Sequence, residues 1–448
     1  MSSNRPPLEV GGTSQPGHSP RRELGLPSCI AMVVGNIIGM GIFVIPASLA
    51  PYRLNAMIGW AVTIIGCLAL SVIFSRLAQT LPNADGPYGY IKAVLGNRVA
   101  YIVMWVFWVG AWATESALAT GVVGYLVAAF PALSVVPPAI MALILLWLVA
   151  AVNSFGVKTG GSVQVVTSVL KLVPLVVIVV LGAVVVFGQP YGSTWSVPKT
   201  TMDGSSAMSA VTITLYAMLG IESATIPASR VRNPAKNIPR ATMIGTIVAA
   251  AVYVAVSAVP MLLISPAELA ASSSPLALVA SRFIGDSASR WLDVFVVISG
   301  LGALNGWTLI NAEVTRTMAD NHVLPAIFKV NNAHGSPIVG LLVNTLFASL
   351  LIIVSYDKSM VEAFTFYTKM VATAELPMYL CATLALGALC LRGRAAGHRT
   401  GTLVAAGIAV AYVIVAFIGA GYLADFLLVL LIVVGLALYW IARRQYGV

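Results

Sequence analysis

The chain has 448 residues, of which 59% are hydrophobic and only 9% charged, with a formal net charge of +10. Apolar runs of about twenty residues recur from about Pro27 to the C-terminus, each long enough to cross a ~30 Å hydrocarbon core. This excludes an ordinary soluble protein. The runs are continuous, with Leu, Ala, Val and Ile on every face, so they read as helices rather than as the alternating, roughly ten-residue strands of a membrane barrel.

The first 26 residues, beginning MSSNRPPLEVGGTSQPGHSPRR, are polar and rich in Pro, Ser and Gly, with no apolar core leading to a cleavage site. They read as a disordered cytoplasmic tail, and the first span is expected to stay attached. Twelve spans follow, at about 27–50, 57–80, 98–129, 137–156, 163–187, 208–228, 238–264, 286–318, 337–355, 360–391, 402–421 and 423–443. Assigning alternate loops to opposite sides puts 19 of the 25 Lys and Arg on the side of the N-terminus. Arg53, Lys199, Arg282, Arg290 and Lys358 fall on the other side, and Lys369 lies within a span. The bias places both termini in the cytoplasm. Basicity is therefore topology plus attraction to anionic membrane lipids, and gives no reason to expect a nucleic acid partner.

Cys29, Cys67, Cys381 and Cys390 all fall inside apolar runs without a CxxC or Cys/His cluster, and read as buried small hydrophobes. His18, His322, His334 and His398 lie in tails or loops, so no metal site and no histidine relay is expected in the bilayer. There is no GxxxxGK[ST] phosphate cradle, which argues against ATP-driven transport by this chain alone. The intramembrane carboxylates are scattered singly, without a nucleophile motif, so an enzyme is not expected and no cofactor is implied.

Two spans carry glycine near mid-membrane. The first contains Gly35, Gly39 and Gly41, and the sixth contains Leu219-Gly220-Ile221-Glu222-Ser223, where helix propensity is lost by about 1 kcal/mol per glycine. Such glycines also serve close helix packing. Here Gly41 and Gly220 are 179 residues apart, five spans, which matches corresponding elements of an inverted repeat. The expected division is a tail (1–26), repeat one (27–200), repeat two (201–395) and a final helix pair (396–448). If both helices break, half-helix N-termini attract a carboxylate and freed carbonyls accept from an ammonium, which is the chemistry of an amino acid headgroup or an amine.

The segments GNIIGMGIFVIPASLA (35–50), ADGPYGYIKAVLG (84–96), LYAMLGIESA (215–224), VRNPAKNIPRAT (231–242) and NGWTLINAEVTRTMADNHVLPAIFKVNNAHGSPI (305–338) resemble the amino acid, polyamine and organocation transporters. Within that superfamily they are similar to the bacterial basic amino acid/polyamine antiporters. The resemblance implies an all-α membrane fold with a LeuT-like five-plus-five inverted repeat, two extra C-terminal helices, alternating access and commonly a homodimer. It places carboxylate binding at Met40 and Gly41 and ammonium-binding carbonyls at Ile37, Tyr216 and Leu219. It also places an indole packing on the substrate at Trp307, an aromatic gate at Tyr216 and proton-dependent gating at Glu222.

Several positions depart from the arginine-exchanging pattern. Met40 replaces a serine, Tyr216 a tryptophan, Phe107 a tyrosine and Ala111 a cysteine, while Glu115 stands where an asparagine is usual. Glu115 follows Trp108 by seven residues and Trp112 by three, so it shares a helix face with aromatics that suit a cation. Two placements stay open for it: contact with the substrate, or an internal pair with Lys369. Glu375, six residues beyond Lys369 and about 240° around the helix, reads as structural or as an internal partner. The leading expectation is exchange of amino acids or their amines, with cationic substrates favoured. Proton-coupled symport or export of neutral amino acids, and a nontransporting sensor or enzyme, are the alternatives.

Overall fold

An amide without a partner in hydrocarbon costs several kcal/mol, so a chain this apolar must satisfy its backbone internally. A computed structural model describes residues 24–82, 84, 86–155, 170–225, 231–320 and 323–446. Helices dominate, and the described residues hold no strand beyond isolated bridges at Leu24–Val231 and Tyr191–Trp195. In chain order the helices are α1 (Leu26–Ile37), α2 (Gly41–Leu49), α3 (Asn55–Thr80), α4 (Gly86–Leu95), α5 (Asn97–Ala129), α6 (Pro138–Ser154), α7 (Leu172–Gly188) and α8 (Gly204–Ala217). They continue with α9 (Pro234–Leu263), α10 (Pro266–Ala271), α11 (Pro275–Phe283), α12 (Asp286–Asp320), α13 (Ile338–Val354), α14 (Met360–Leu391), α15 (Arg399–Ala420) and α16 (Tyr422–Tyr446).

Six of these, α3, α5, α9, α12, α14 and α15, are long and apolar enough to cross a membrane, and the bent α1–α2 pair passes the same test as one span. α6, α7, α13 and the first part of α16 are shorter apolar helices. The protein is a multi-pass membrane protein. Helices α4, α10 and α11 form where loops were expected. A helix outside the lipid need not be apolar all round, so a search for long apolar runs passes over it.

Local chemistry sets several starts. Proline in the first turn, where its missing N–H is not needed, opens α1, α6, α9, α10 and α11. Asp203 caps α8 by accepting from Ser206 N at 2.8 Å. Hydrogen bonds from the Ser205 hydroxyl and from Ser206 hold its carboxyl well below the usual carboxylate range. Ser359 and Glu362 form a reciprocal capping box at the start of α14.

The long helices sort into two packed groups. α5 lies against α12 and α14, while α3 packs on α8 and α9, and α9 on α1. Hydroxyls pair across the second group, Thr63 with Thr214 at 2.7 Å and Ser71 with Thr246 at 2.9 Å, so each gives the other a partner between helices. Large apolar side chains such as Val184, Phe187, Leu346 and Ile418 are exposed, as lipid-facing side chains are. The ion pairs found, Arg282–Glu268, Arg316 with Glu313 and Asp320, and Lys329–Asp320, all lie on exposed surface. Among the described residues the buried Asp, Glu, Lys and Arg side chains are Glu115, Lys171, Asp293 and Glu375.

Candidate functional site

The first break is a three-residue gap. α1 ends at Ile37, α2 begins at Gly41, and their axes bend by 44°. Interrupting the i→i−4 ladder releases carbonyls that need partners in a dry interior. Lys171 supplies two: its Nζ donates to Gly35 O at 2.8 Å and to Ile38 O at 2.6 Å. The Ile37 carbonyl accepts from the Tyr253 hydroxyl at 3.0 Å and from Gly39 N at 2.9 Å. Those contacts use both lone pairs of Ile37 O, so in this conformation it has none left for a substrate ammonium.

The second break follows α8. The chain turns over 218–222 and re-forms a short 3-10 turn at Ser223–Thr225. Gly220 sits at φ +102°, a backbone that a residue with a side chain adopts at a cost of about 1–2 kcal/mol. A Cβ on Gly220 would lie 3.3 Å from the Asn36 carbonyl carbon, so the two breaks are in contact with each other. The ring of Tyr216 lies on Gly41 in the same way, 2.9 Å from where a Cβ would be.

Two adjoining cavities open at this junction, sharing Asn36, Gly39, Met40 and Trp307 as walls. Phe107, Lys171, Gly220 and Glu222 border the first, and Ile37, Gly41, Tyr216, Leu219, Tyr253 and Glu375 border the second. Met40 is 1% exposed, and its side chain runs into space that Gly121 on α5 and Gly300 on α12 leave free. The thioether thus packs between helices, and any substrate contact at Met40 falls to its backbone. Glu222 accepts from the Tyr379 hydroxyl at 3.1 Å.

The structure therefore brings together Ile37, Met40, Gly41, Phe107, Tyr216, Leu219, Glu222 and Trp307. It does not bring Ala111, Glu115 or Lys369 to either of these cavities. Glu115 takes neither of its two expected placements. It is fully buried, accepts from Asn311 Nδ2 at 2.5 Å, and forms no ion pair with Lys369. Asn311 also donates to the Ala111 carbonyl at 3.2 Å, so Ala111 and Glu115 belong to the α5–α12 seam. Nor do Trp108 and Trp112 surround a substrate cation. Both donate to Asn344 Oδ1, at 2.7 and 3.1 Å, and Trp112 stacks on Phe347 with centroids 4.2 Å apart. They point to α13 because the buried asparagine gives their N–H groups a partner.

Lys171 and Glu375 border these cavities although neither is among the site residues expected from the sequence. Lys171 falls within the span expected at 163–187, and a basic residue inside a span is the signal the sequence carries for it. Glu375 reads from the sequence as structural or as an internal partner, and it stands on the wall of the second cavity. Among the described residues no group of three or more His, Cys, Asp or Glu is placed to hold a metal.

The chain is similar in sequence to known transporters. The chain is 30% identical to the cadaverine/lysine antiporter of Escherichia coli K12 over 72% of its own length and 73% of the relative. It is 31% identical to the arginine/ornithine antiporter of Pseudomonas aeruginosa over 95% of its length and 92% of the relative. It is 27% identical to the putrescine transporter PotE of Haemophilus influenzae over 89% and 90%. The profile of the amino acid permease family matches residues 24–442, so this chain belongs to the amino acid permease family and is a transporter rather than an enzyme.

Proposed function

We propose that this protein exchanges cationic amino acids and their amines across a bacterial inner membrane by alternating access. The observation that carries the reading is the contact between two interrupted helices at buried cavities that hold an indole and acidic side chains. Relatives named for cadaverine/lysine and arginine/ornithine antiport support the substrate class. In this reading twelve spans form a five-plus-five inverted repeat, with α1–α2 and α8 as corresponding broken elements and α15–α16 as the added pair. Both termini are cytoplasmic, following the lysine and arginine bias. The resemblance to the antiporters supports a homodimer in lipid.

The parts divide as follows. Backbone amides at Met40 and Gly41, at the start of α2, attract the substrate carboxylate. Carbonyls at Tyr216 and Leu219 receive the α-ammonium, joined by Ile37 once Tyr253 releases it. Trp307 packs on the substrate side chain, Phe107 closes the neighbouring wall, and the Tyr216 ring gates the cavity. Glu222 couples gating to protonation.

Counterflow in proteoliposomes tests the reading. Vesicles loaded with lysine should take up labelled lysine, ornithine or cadaverine, and empty vesicles should not. Uptake driven by a pH gradient alone would make the protein a symporter. Displacement by leucine and alanine, with none by lysine, arginine or their amines, would overturn the cationic assignment.

A further inference from the structure

Of the acidic groups near the junction, one lacks a partner. Glu222 has the Tyr379 hydroxyl, and Glu115 has Asn311 and stands away from both cavities. Glu375 is 7% exposed and borders the cavity walled by Gly41, Tyr216, Tyr253 and Trp307, and its Oε2 is buried with no hydrogen-bond partner. It reaches that cavity from α14 together with Val371, one helical turn earlier.

No Lys, Arg or His is among the residues that border this cavity. Lys171 is committed to the carbonyls of Gly35 and Ile38. Lys369, six residues before Glu375 on the same helix, projects about 240° away. A buried carboxylate is retained at a cost of several kcal/mol unless a cation or hydrogen bonds offset it. The protein supplies neither to Glu375 Oε2, and the cavity it faces opens on both breaks.

The geometry points to Glu375 as the specificity-determining residue that receives the distal ammonium of a basic amino acid or diamine, while the breaks hold the other end. This rests on the exchange of cationic substrates proposed above. Glu375 on α14 and the Tyr216 and Leu219 carbonyls at the α8 break border one cavity, so the separation of the carboxylate from those acceptors selects diamine length. A diamine one methylene longer or shorter misplaces its second ammonium.

The test compares lysine with norleucine, which has the same chain length without the distal ammonium, by competition binding to the purified full-length chain. Wild type should prefer lysine, and Glu375→Gln should reduce the lysine-to-norleucine ratio by about tenfold or more, the usual weight of a charge-assisted bond. Glu375→Asp draws the carboxylate back by one methylene and should move the preferred diamine toward the next longer homologue in the series from putrescine to cadaverine and beyond. A folded Glu375→Gln protein with an unchanged ratio overturns the inference, even if its pH dependence changes. If that variant does not fold, an unchanged length preference in Glu375→Asp overturns it instead. Failure of wild type to bind or exchange any basic amino acid or diamine is a separate result, and rejects the proposed function itself.

Discussion

Replacing Lys171 by methionine keeps the length and most of the volume of the side chain and removes only the ammonium. The Gly35 and Ile38 carbonyls then lose their partner at 2.8 and 2.6 Å. A buried acceptor left unpaired costs about 1–3 kcal/mol, so the two together amount to about 2–6 kcal/mol. Two effects reduce this: methionine carries no desolvation cost, and the cavity that Lys171 borders can admit water to the exposed oxygens. The expected net destabilisation is about 2 kcal/mol, felt where α1 gives way to α2. The apparent melting temperature of the detergent-purified variant should fall clearly below that of wild type. Exchange in proteoliposomes should fall further, because the break no longer has a fixed shape. Lys171→Arg keeps the charge and should recover more stability than Lys171→Gln, which keeps only a neutral donor. A Lys171→Met protein that melts with wild type and exchanges at the wild-type rate would falsify the claim that the ammonium holds the break.

Other perturbations separate binding, gating and packing. Trp307→Ala should weaken binding of cationic substrate by about thirtyfold, from the ~2 kcal/mol of a desolvated cation–π contact, with little change in melting; wild-type affinity in a folded variant rejects the contact. Glu222→Gln should flatten the pH dependence of exchange while leaving low-pH binding nearly intact, since the amide imitates the protonated acid beside the Tyr379 hydroxyl. An unchanged pH profile would leave Glu222 a structural role. Asn311→Leu removes the hydrogen bond to Glu115 and should cost about 1–3 kcal/mol, whereas adding Glu115→Leu to it should restore much of the loss, a coupling that a double-mutant melting cycle measures. Additive effects would show that the α5–α12 seam does not depend on this pair.

The amino-acid sequence by itself determined the membrane class, the helical content and the places where two helices break. These are local properties: apolarity summed over a span sets insertion, and glycine weakens a helix wherever it stands. Gly41 and Gly220 mark their breaks through their matched spacing, since a lone glycine such as Gly59 or Gly110 sits inside an unbroken helix, and the resemblance around Asn305 and Trp307 points the indole to the cavity. The sequence was silent on partners, because a partner depends on how each helix is rotated and which helix lies beside it. Trp108 and Trp112 share a helix face with Glu115, yet their N–H groups go to Asn344, 236 and 232 positions along the chain. Glu115 meets Asn311 across 196 positions rather than Lys369, and Lys171 reaches back 136 positions to Gly35. Hydropathy registers none of these long-range pairings. Only tertiary packing decided that Lys171 closes a broken helix and that Glu375, unlike Glu115, faces the cavity without a partner.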